Sequence, residues 1–264
     1  MKQTVISVMI RAPLGFLKKT DMNEDLYLTY NSLHKPALLG ILGAIAGLGG
    51  FYQSYIEDPK QLPEYYRSLN VIGVGIKPVS GTESVVFKKS YLSYNNSTGF
   101  ASYEEGGNLI VQEQILIDPS YKVYLKLDLE NETQNFLFQN LKESKAVYIP
   151  YLGKNEFNIW WEDFIEYSWS EFTPEPGESY QIDTLFKKLE DTKIEKKTGF
   201  KLGQFKTNTI FNFERLPSGY DAQRRVYTFD DYVLTNVKLG GDYYPGNLFR
   251  LNGGGFENLI VQLN

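Results

Sequence analysis

The stretch from Pro36 to Gly50 limits the possible folds of this chain more than any other part of it, because it contains no charged side chain. Proline is best tolerated in the first turn of a helix, where its missing N–H is not needed. The sequence therefore predicts a helix that begins near Lys35. Glycine is the usual residue at the left-handed turn beyond a helix, so we expect the helix to end at the glycines at 49 and 50.

The composition of this helix predicts that it is buried. Small residues recur at spacings of three and four, which lets a neighbouring backbone approach closely. They are Ala37, Gly40, Ala44 and Gly47, and the adjacent apolar stripe consists of Leu38, Leu42 and Ile45. We expect the small face to pack flat against a sheet. A membrane span needs about 20 apolar residues and this run is shorter, so a core helix is preferred and no membrane partner is expected.

Composition excludes several classes of protein. With 264 residues, 42% of them hydrophobic and 22% charged, the chain is typical of one large or two small globular domains. The absence of cysteine and the single histidine exclude disulfide frameworks, thiolate metal sites and histidine-rich metal sites, so we predict no cofactor. The apolar run at the N-terminus is only about six residues long, shorter than a signal-peptide core, which predicts a cytoplasmic location.

The charge of the chain limits how it can bind nucleic acid. A net charge of −5 and a sequence pI of about 5.2 argue against binding through the overall electrostatic field. Basic residues are instead clustered, at Lys18-Lys19, Lys88-Lys89, Arg224-Arg225 and the lysines between 193 and 206. Any RNA contact must therefore be local. A solvated surface remains the ordinary alternative for each cluster.

The order of predicted elements favours an α+β fold of the ferredoxin-like or RNA-recognition type. The predicted strands cover 4–11, 71–77, 84–94, 108–117, 121–129 and 146–149, with an extended piece at 26–30 and helices at 64–69 and 132–143. A long hairpin at about 84–117 precedes the second main helix. We predict a first domain at 1–157 and a β-rich region at 158–264 packed on it, with an edge or partner-facing strand at 164–172 and a mobile basic loop at 192–207.

Three phrases resemble CRISPR-associated protein family five, whose members belong to the RAMP superfamily and to type I Cascade complexes. The first, at 26–50, joins the strand end Tyr-Leu-Thr-Tyr, a polar turn and Lys-Pro-Ala-Leu-Leu-Gly. The second is Leu-Gly-Lys-Asn-Glu-Phe at 152–157, and the third is Phe-Glu-Arg-Leu-Pro at 213–217, followed by Arg224 and Arg225. Together the three phrases extend the resemblance over almost the whole chain.

The resemblance implies a Cascade subunit that holds the 5′ handle of a CRISPR RNA, caps the filament of backbone subunits and contacts the large subunit. It implies a RAMP domain whose hairpin at 84–117 acts as a thumb, and subtype I-B, in which a separate enzyme processes the RNA. Cations and aromatic faces hold single-stranded RNA, and the start of a helix attracts phosphate. On these grounds the predicted RNA-binding residues are Arg11, Tyr30, His34, Lys35, Lys88, Lys89, Lys154, Asn155, Arg224 and Arg225, with no catalytic or metal-binding residue.

Two alternatives stay open at this point. Some members of the family cut precursor RNA with a tyrosine, a lysine and a histidine, and Tyr30, His34 and Lys35 lie within six residues of one another. A lone histidine at the mouth of a helix is more typical of a cap or an RNA contact than of a general base. The second alternative is a connector that touches only protein, in which case the basic clusters are solvated.

Overall fold

The computed structural model describes residues 2–20, 26–58, 60–80, 85–95, 103, 110–188, 209–224 and 226–264, and shows a mixed α+β protein. The helices in these ranges are α1 Lys35–Ala46, α2 Phe51–Glu57, α3 Glu64–Leu69 and α4 Glu132–Lys142. The strands are β1 Gln3–Arg11, β2 Leu14–Gly15, β3 Leu26–Tyr27, β4 Gly73–Pro78, β5 Lys89–Asn95, β6 Ile110–Ile117, β7 Ser120–Asp128, β8 Trp160–Glu171, β9 Ser179–Tyr180, β10 Phe186–Lys187, β11 Phe211–Asp221, β12 Val226–Thr235, β13 Leu239–Gly240, β14 Leu248–Gly253 and β15 Phe256–Gln262. The predicted loop at 192–207 and the predicted site residue Arg225 lie outside the described residues.

The central sheet has the strand order β15-β14-β8-β1-β7-β4, and every neighbouring pair is antiparallel. β1 pairs with β7 along its whole length and with β8 on its other side, where the register shifts between Ser7 and Met9. Val74 and Asn264 exchange two backbone hydrogen bonds of 3.0 Å. The sheet is therefore curled, because the chain just beyond β15 returns to β4 at the opposite edge.

Alternate side chains of β1 enter two different cores, as the two-residue period of a strand requires. On the helical side, Ile6, Val8 and Ile10 belong to one buried cluster with side chains of α1 and α4. On the other side, Val5 packs inside the curl with side chains of β7, β8, β14 and β15, among them Tyr124. The two cores hold β1 at the centre of the molecule.

Helix α1 is buried and begins at Lys35, as the sequence predicts, but its predicted end is wrong. Gly47 takes the left-handed conformation at φ 75° and ends the helix two residues before the predicted glycines. Gly50 instead precedes α2, which the sequence did not predict. Within the described part of the chain no single helix is long and apolar enough to cross a membrane. α1 and α2 reach that length and apolar composition only when taken together, and the angle between them is 81°.

The small-residue face of α1 does not pack against the sheet, so that prediction is wrong. A Cβ added to Gly40 would find its nearest neighbour, the Tyr65 ring, at 4.0 Å. A Cβ added to Gly43 would lie 2.4 Å from the Cβ of Tyr65. The close approach between α1 and α3 therefore occurs at Gly43, and Gly47 of the small face lies close to Val147, which would be 2.9 Å from an added Cβ.

Two predicted strands are corrected by the structure. Residues 146–149 form no strand, because the N–H groups of Val147 and Tyr148 donate to the carbonyls of Ile45 and Ala44 at 3.2 and 3.0 Å and complete the end of α1. The strand predicted at 164–172, as an edge or partner-facing strand, lies within β8 up to Glu171, and β8 is not at an edge because it lies between β1 and β14. Local alternation of residues predicts a strand but not its neighbours.

The predicted hairpin and the region after residue 158 both connect closely to the rest of the fold. β5 and β6 pair antiparallel from Lys89–Leu116 to Asn95–Ile110, while residues 96–102 and 104–109 lie outside the described residues. β8, β14 and β15 extend the sheet of β1, and the β11–β12 hairpin places Leu216 in the cluster that contains α1. The division of the chain at residue 157 stays a prediction.

Candidate nucleic-acid interface

The first and third sequence phrases meet at Glu214. Its two carboxylate oxygens accept the N–H groups of Asn31 and Ser32 at 2.8 and 3.1 Å. The side chain of Asn31 in turn donates to the carbonyl of Val85 and accepts the N–H of Phe87, at 3.0 and 2.9 Å. The polar turn before α1 is thereby fixed to β11 and to the chain that enters β5.

The second phrase is joined to the first through the chain around Phe16. Phe16 donates its N–H to the carbonyl of Leu152 at 3.0 Å, and Tyr30 donates to the carbonyl of Leu17 at 2.8 Å. Gly153 has φ 87°, and a Cβ there would lie 1.7 Å from the carbonyl oxygen of Phe16. Because φ is positive and a Cβ has no room, only glycine fits this turn.

Where these phrases meet, cations lie over aromatic rings in two groups. The first group, which we call the hairpin base, contains Lys18 over Tyr27 at 3.7 Å and Lys154 over Tyr94 and Phe16 at 4.4 and 5.6 Å. The second group, which we call the β11 groove, is lined by Lys19, Tyr30, Phe213, Glu214, Arg215 and Phe229. Lys18 and Lys19 are consecutive residues, so the two groups are neighbours along the chain.

The β11 groove combines an exposed ring with two cations in a volume of about 440 Å³. Phe213 is 61% exposed and stacks on Phe211 with an interplanar angle of 4°. The Lys19 amino group lies 5.4 Å from the Tyr30 ring centre, and the Arg215 guanidinium lies 5.7 Å from that of Phe229. Flat rings beside cations are the arrangement that holds single-stranded nucleic acid, with bases on the rings and phosphates at the cations.

At the hairpin base, the positive charge of one of the two lysines is neutralised by a carboxylate. The Lys154 amino group donates to the buried carboxylate of Glu113 on β6, and Glu156 lies 3.9 Å away. Burial lowers the pKa of Lys154, but its hydrogen bonds and charge interactions with Glu113 and Tyr94 together outweigh burial, so the pKa is raised. Lys18, by contrast, is exposed. Of the two lysines, Lys18 is the one available to a phosphate.

His34 acts as the cap of α1. Its Nδ1 accepts the N–H of Ala37 at 3.3 Å, and its ring makes edge contacts with Tyr30 and Tyr227 at centroid distances of 5.5 and 6.2 Å. Burial lowers the pKa of His34 to about 3. The imidazole is therefore neutral near pH 7, and one ring nitrogen is occupied by the backbone.

Lys35 is committed to backbone carbonyls. Its amino group donates to the carbonyls of Ile72 and Asn264 at 3.2 and 3.0 Å. Burial, and to a lesser extent the charge of Lys187, lowers the pKa of Lys35 to about 8. The lysine expected to add charge beside a phosphate at the helix start thus holds the α1 start to the chain around β4 and β15.

The remaining predicted residues are placed separately. Arg11 donates from Nε to Glu162 on β8 at 2.5 Å, and both side chains are partly exposed. Exposed positions are occupied by Lys88, Lys89, Asn155 and Arg224. The structure thus brings Tyr30 and His34 together and directs Arg11, Lys35 and Lys154 to three different sets of partners.

Sequence reasoning missed Lys19, Phe213 and Arg215 as site residues. Lys19 was part of a recognised basic cluster, but no sequence signal placed it beside Tyr30. Phe213 and Arg215 do carry a usable signal, because residues two apart on a strand face the same side. An aromatic residue and a cation therefore stand next to each other on one face of β11. That signal identifies a face of β11 without showing what lies opposite it.

No protein-family model and no curated protein matches the sequence. Solved structures are distantly similar. A chain described as "CRISPR RNA-guided surveillance complex" is 12% identical, with a TM-score of 0.45 and coverage of 91% of this chain and 94% of that one. A CRISPR protein from Archaeoglobus fulgidus is 14% identical, with a TM-score of 0.43 and coverage of 99% and 100%. A chain described as "CRISPR-associated Protein" is 11% identical, with a TM-score of 0.40 and coverage of 91% and 93%. Because these TM-scores are below 0.5, the likenesses establish neither family nor function.

Proposed function

We propose that this chain is a non-catalytic, RNA-binding subunit of a type I Cascade complex, of subtype I-B. In this role it holds the 5′ handle of a CRISPR RNA, caps the filament of backbone subunits and lies next to the large subunit. The observation that carries the proposal is the β11 groove. It forms where two of the three phrases that resemble CRISPR-associated protein family five meet, and it sets two cations beside an exposed ring.

The arrangement of the central sheet supports the proposed RAMP domain. β1, β4, β7 and β8 take the order β8-β1-β7-β4, and α1 and α4 follow β1 and β7 in the chain. This is the order expected of a ferredoxin-like unit, the plan on which RAMP proteins are built. In the same proposal β5 and β6 form the thumb, and the strands from β9 onward are a β-rich extension.

The surroundings of His34 support a non-catalytic role. A general base needs a pKa near the working pH and a nitrogen within reach of the proton that it removes. His34 is buried, its pKa is lowered to about 3, and its Nδ1 accepts a backbone N–H. Lys35 donates to two backbone carbonyls. These contacts favour RNA binding over the ribonuclease alternative.

The proposal is tested by expressing the chain with its genomic neighbours, purifying the assembly and sequencing the RNA it contains. We expect short RNA with one defined 5′ end. The double variant Lys19→Ala/Phe213→Ala should keep the protein partners and lose this RNA, whereas Lys238→Ala/Phe256→Ala, which changes an exposed lysine and an exposed ring elsewhere, should keep both.

Two results would contradict the proposal. An assembly that forms without RNA would favour the protein-only connector. Metal-independent cleavage of precursor RNA by the isolated chain would assign the ribonuclease role instead.

A further inference from the structure

Helix α2 carries large apolar side chains that the described part of the chain leaves uncovered. Phe51, Tyr52, Tyr55 and Ile56 are 55%, 74%, 63% and 64% exposed, and the one buried residue of the helix is Ser54. A helix of seven residues is too short to be stable through its own hydrogen bonds, and a surface helix is ordinarily held by packing its apolar face. The apolar face of α2 is therefore available to a partner.

A groove of about 320 Å³, which we call the α2 groove, lies beside this face. It is lined by Phe51, Tyr52, Tyr55, Lys60, Gln61, Leu62, Tyr220 and Ala222. Ile56 lies outside the lining, four residues after Tyr52 and therefore on the same outer side of the helix. One small surface thus combines a protruding aliphatic side chain with an aromatic hollow.

The charges at this surface form a complementary pair. Among the described residues that line the α2 groove, Lys60 alone is charged, and the residue that follows Ile56 is Glu57. Both charged side chains are exposed, and neither forms an ion pair within the described residues. An isoleucine seated in such a groove brings the following glutamate to the rim that holds Lys60. The surface is thus complementary to itself, as a two-fold contact between identical chains requires.

The area of the surface fits a weak dimer. A fully covered aromatic side chain buries about 150–250 Å², so the three rings and Ile56 expose on the order of 500 Å². Pairing two copies would remove about 1,000 Å² from water, which is near the lower limit of specific interfaces and typical of transient ones. Interface cores are rich in tyrosine and phenylalanine and poor in charge. A lining with one cation lacks the row of cations that follows the phosphates of a nucleic acid.

We infer that α2 is a contact surface for a second copy of this chain, with Ile56 of each copy in the α2 groove of the other and Glu57 beside Lys60 of the other copy. This inference goes beyond the proposed function and does not depend on it, because the α2 groove and the β11 groove share no residue. A contact of this area depends on concentration, so the dilute chain is monomeric and its α2 rings are exposed.

Analytical ultracentrifugation of the purified chain over a range of concentrations tests the contact. We expect the mass to rise from that of one chain, 30.3 kDa, towards that of two. Ile56→Asp should raise the dissociation constant at least about tenfold, because it places a charge at the centre of the contact. Phe136→Asp changes an exposed ring of α4, serves as the matched control and should leave the dissociation constant unchanged.

Charge exchange identifies the partner as a second copy. In a pair of identical chains, Glu57→Lys and Lys60→Glu each bring like charges together, so each variant alone should dimerise poorly. Mixed, the two variants should pair with each other, because opposite charges then meet at both contacts. Both positions are exposed, and circular dichroism checks that the variants fold.

Three results would overturn this inference. The first is a wild-type chain that stays monomeric at every concentration, and the second is a mixture that pairs no better than either variant alone. The third is an α2 whose amides become protected from hydrogen exchange only when RNA is added, which would assign the surface to nucleic acid. RNA binding in the β11 groove is measured separately and stands or falls by itself.

Discussion

The start of α1 and the β11 groove lie on either side of the same polar turn, yet they use their charged and aromatic groups in opposite ways. At the helix start, His34 caps the backbone and Lys35 donates to two carbonyls. In the groove, Arg215 and Phe213 are exposed and face a volume of about 440 Å³. The residues that are most conspicuous in the sequence stabilise the fold, and less conspicuous ones are open to a ligand.

Acid should destabilise the protein through His34, and this is the largest effect that we expect. The pKa of His34 is about 3 in the folded protein and about 6.5 in the unfolded chain, so the unfolded chain binds the proton more readily between these values. Stability should therefore fall as the pH drops below 6.5, by about 3 kcal/mol at pH 4. His34→Asn keeps a capping side chain and should remove this part of the loss. Urea unfolding at pH 7 and pH 4 measures it, and an identical acid loss in both proteins would exclude His34 as the cause.

Replacing two lysines one at a time, Lys35 at the helix start and Lys19 in the groove, tests the comparison directly. Lys35→Met should cost about 1–3 kcal/mol of unfolding free energy, because two carbonyls lose a charged donor, and it should leave RNA affinity unchanged. Lys19→Met should leave stability within about 0.5 kcal/mol and weaken RNA binding. Thermal unfolding and RNA titration of both variants are compared. The opposite pattern would place the RNA at the helix start.

Removing the paired lysines should change the salt dependence of binding. Each phosphate contact on a single strand contributes about 0.7 to the slope of log affinity against log salt, so Lys18→Ala/Lys19→Ala should reduce the slope by about 1.4. The same decrease is predicted for Lys88→Ala/Lys89→Ala in the hairpin. RNA titrations at several salt concentrations give both slopes. An unchanged slope would assign the pair concerned to a solvated surface.

Two glycines of α1 should respond to alanine with opposite signs, which is the smallest effect predicted. Gly40→Ala should stabilise the protein by about 1 kcal/mol, because glycine is a poor helix former and the site is open. Gly43→Ala is the matched control and should destabilise it by overpacking against Tyr65. Urea unfolding measures both changes. Destabilisation by Gly40→Ala would show that its face is covered after all.

Much of the local structure could be predicted from the sequence, because its causes are local. Pro36 and the uncharged run predicted the start of α1, and the apolar spacing at 132–143 predicted α4 almost to its ends. The predicted end of α1 was wrong because several nearby glycines suit the left-handed position that ends a helix, and Gly47 is the one that occupies it. Residues 146–149 have the composition of a strand, but the end of α1 uses their N–H groups.

The candidate site was less predictable, because its geometry depends on residues that are far apart in sequence. The phrase at 213–217 is visible in the sequence, but the hydrogen bond that the Asn31 N–H donates to Glu214 joins residues 183 positions apart. No periodicity showed that Lys19 lies beside Tyr30, or that Lys35 would turn to the carbonyls near β4. Residue type alone therefore selected charged groups without separating those bound to the fold from those open to a ligand.

Photocrosslinking of a 5-iodouridine-substituted single-stranded RNA to the purified chain, followed by mass spectrometry, tests RNA binding in the β11 groove most directly. The exposed rings of α2 serve as an internal control, since Tyr52 and Tyr55 are 74% and 63% exposed and should react if exposure alone decides. We predict adducts at Phe213 and Phe229 and none on α2. Adducts confined to Tyr52 and Tyr55, or no adduct in a sample that retains RNA, would contradict RNA binding in the groove.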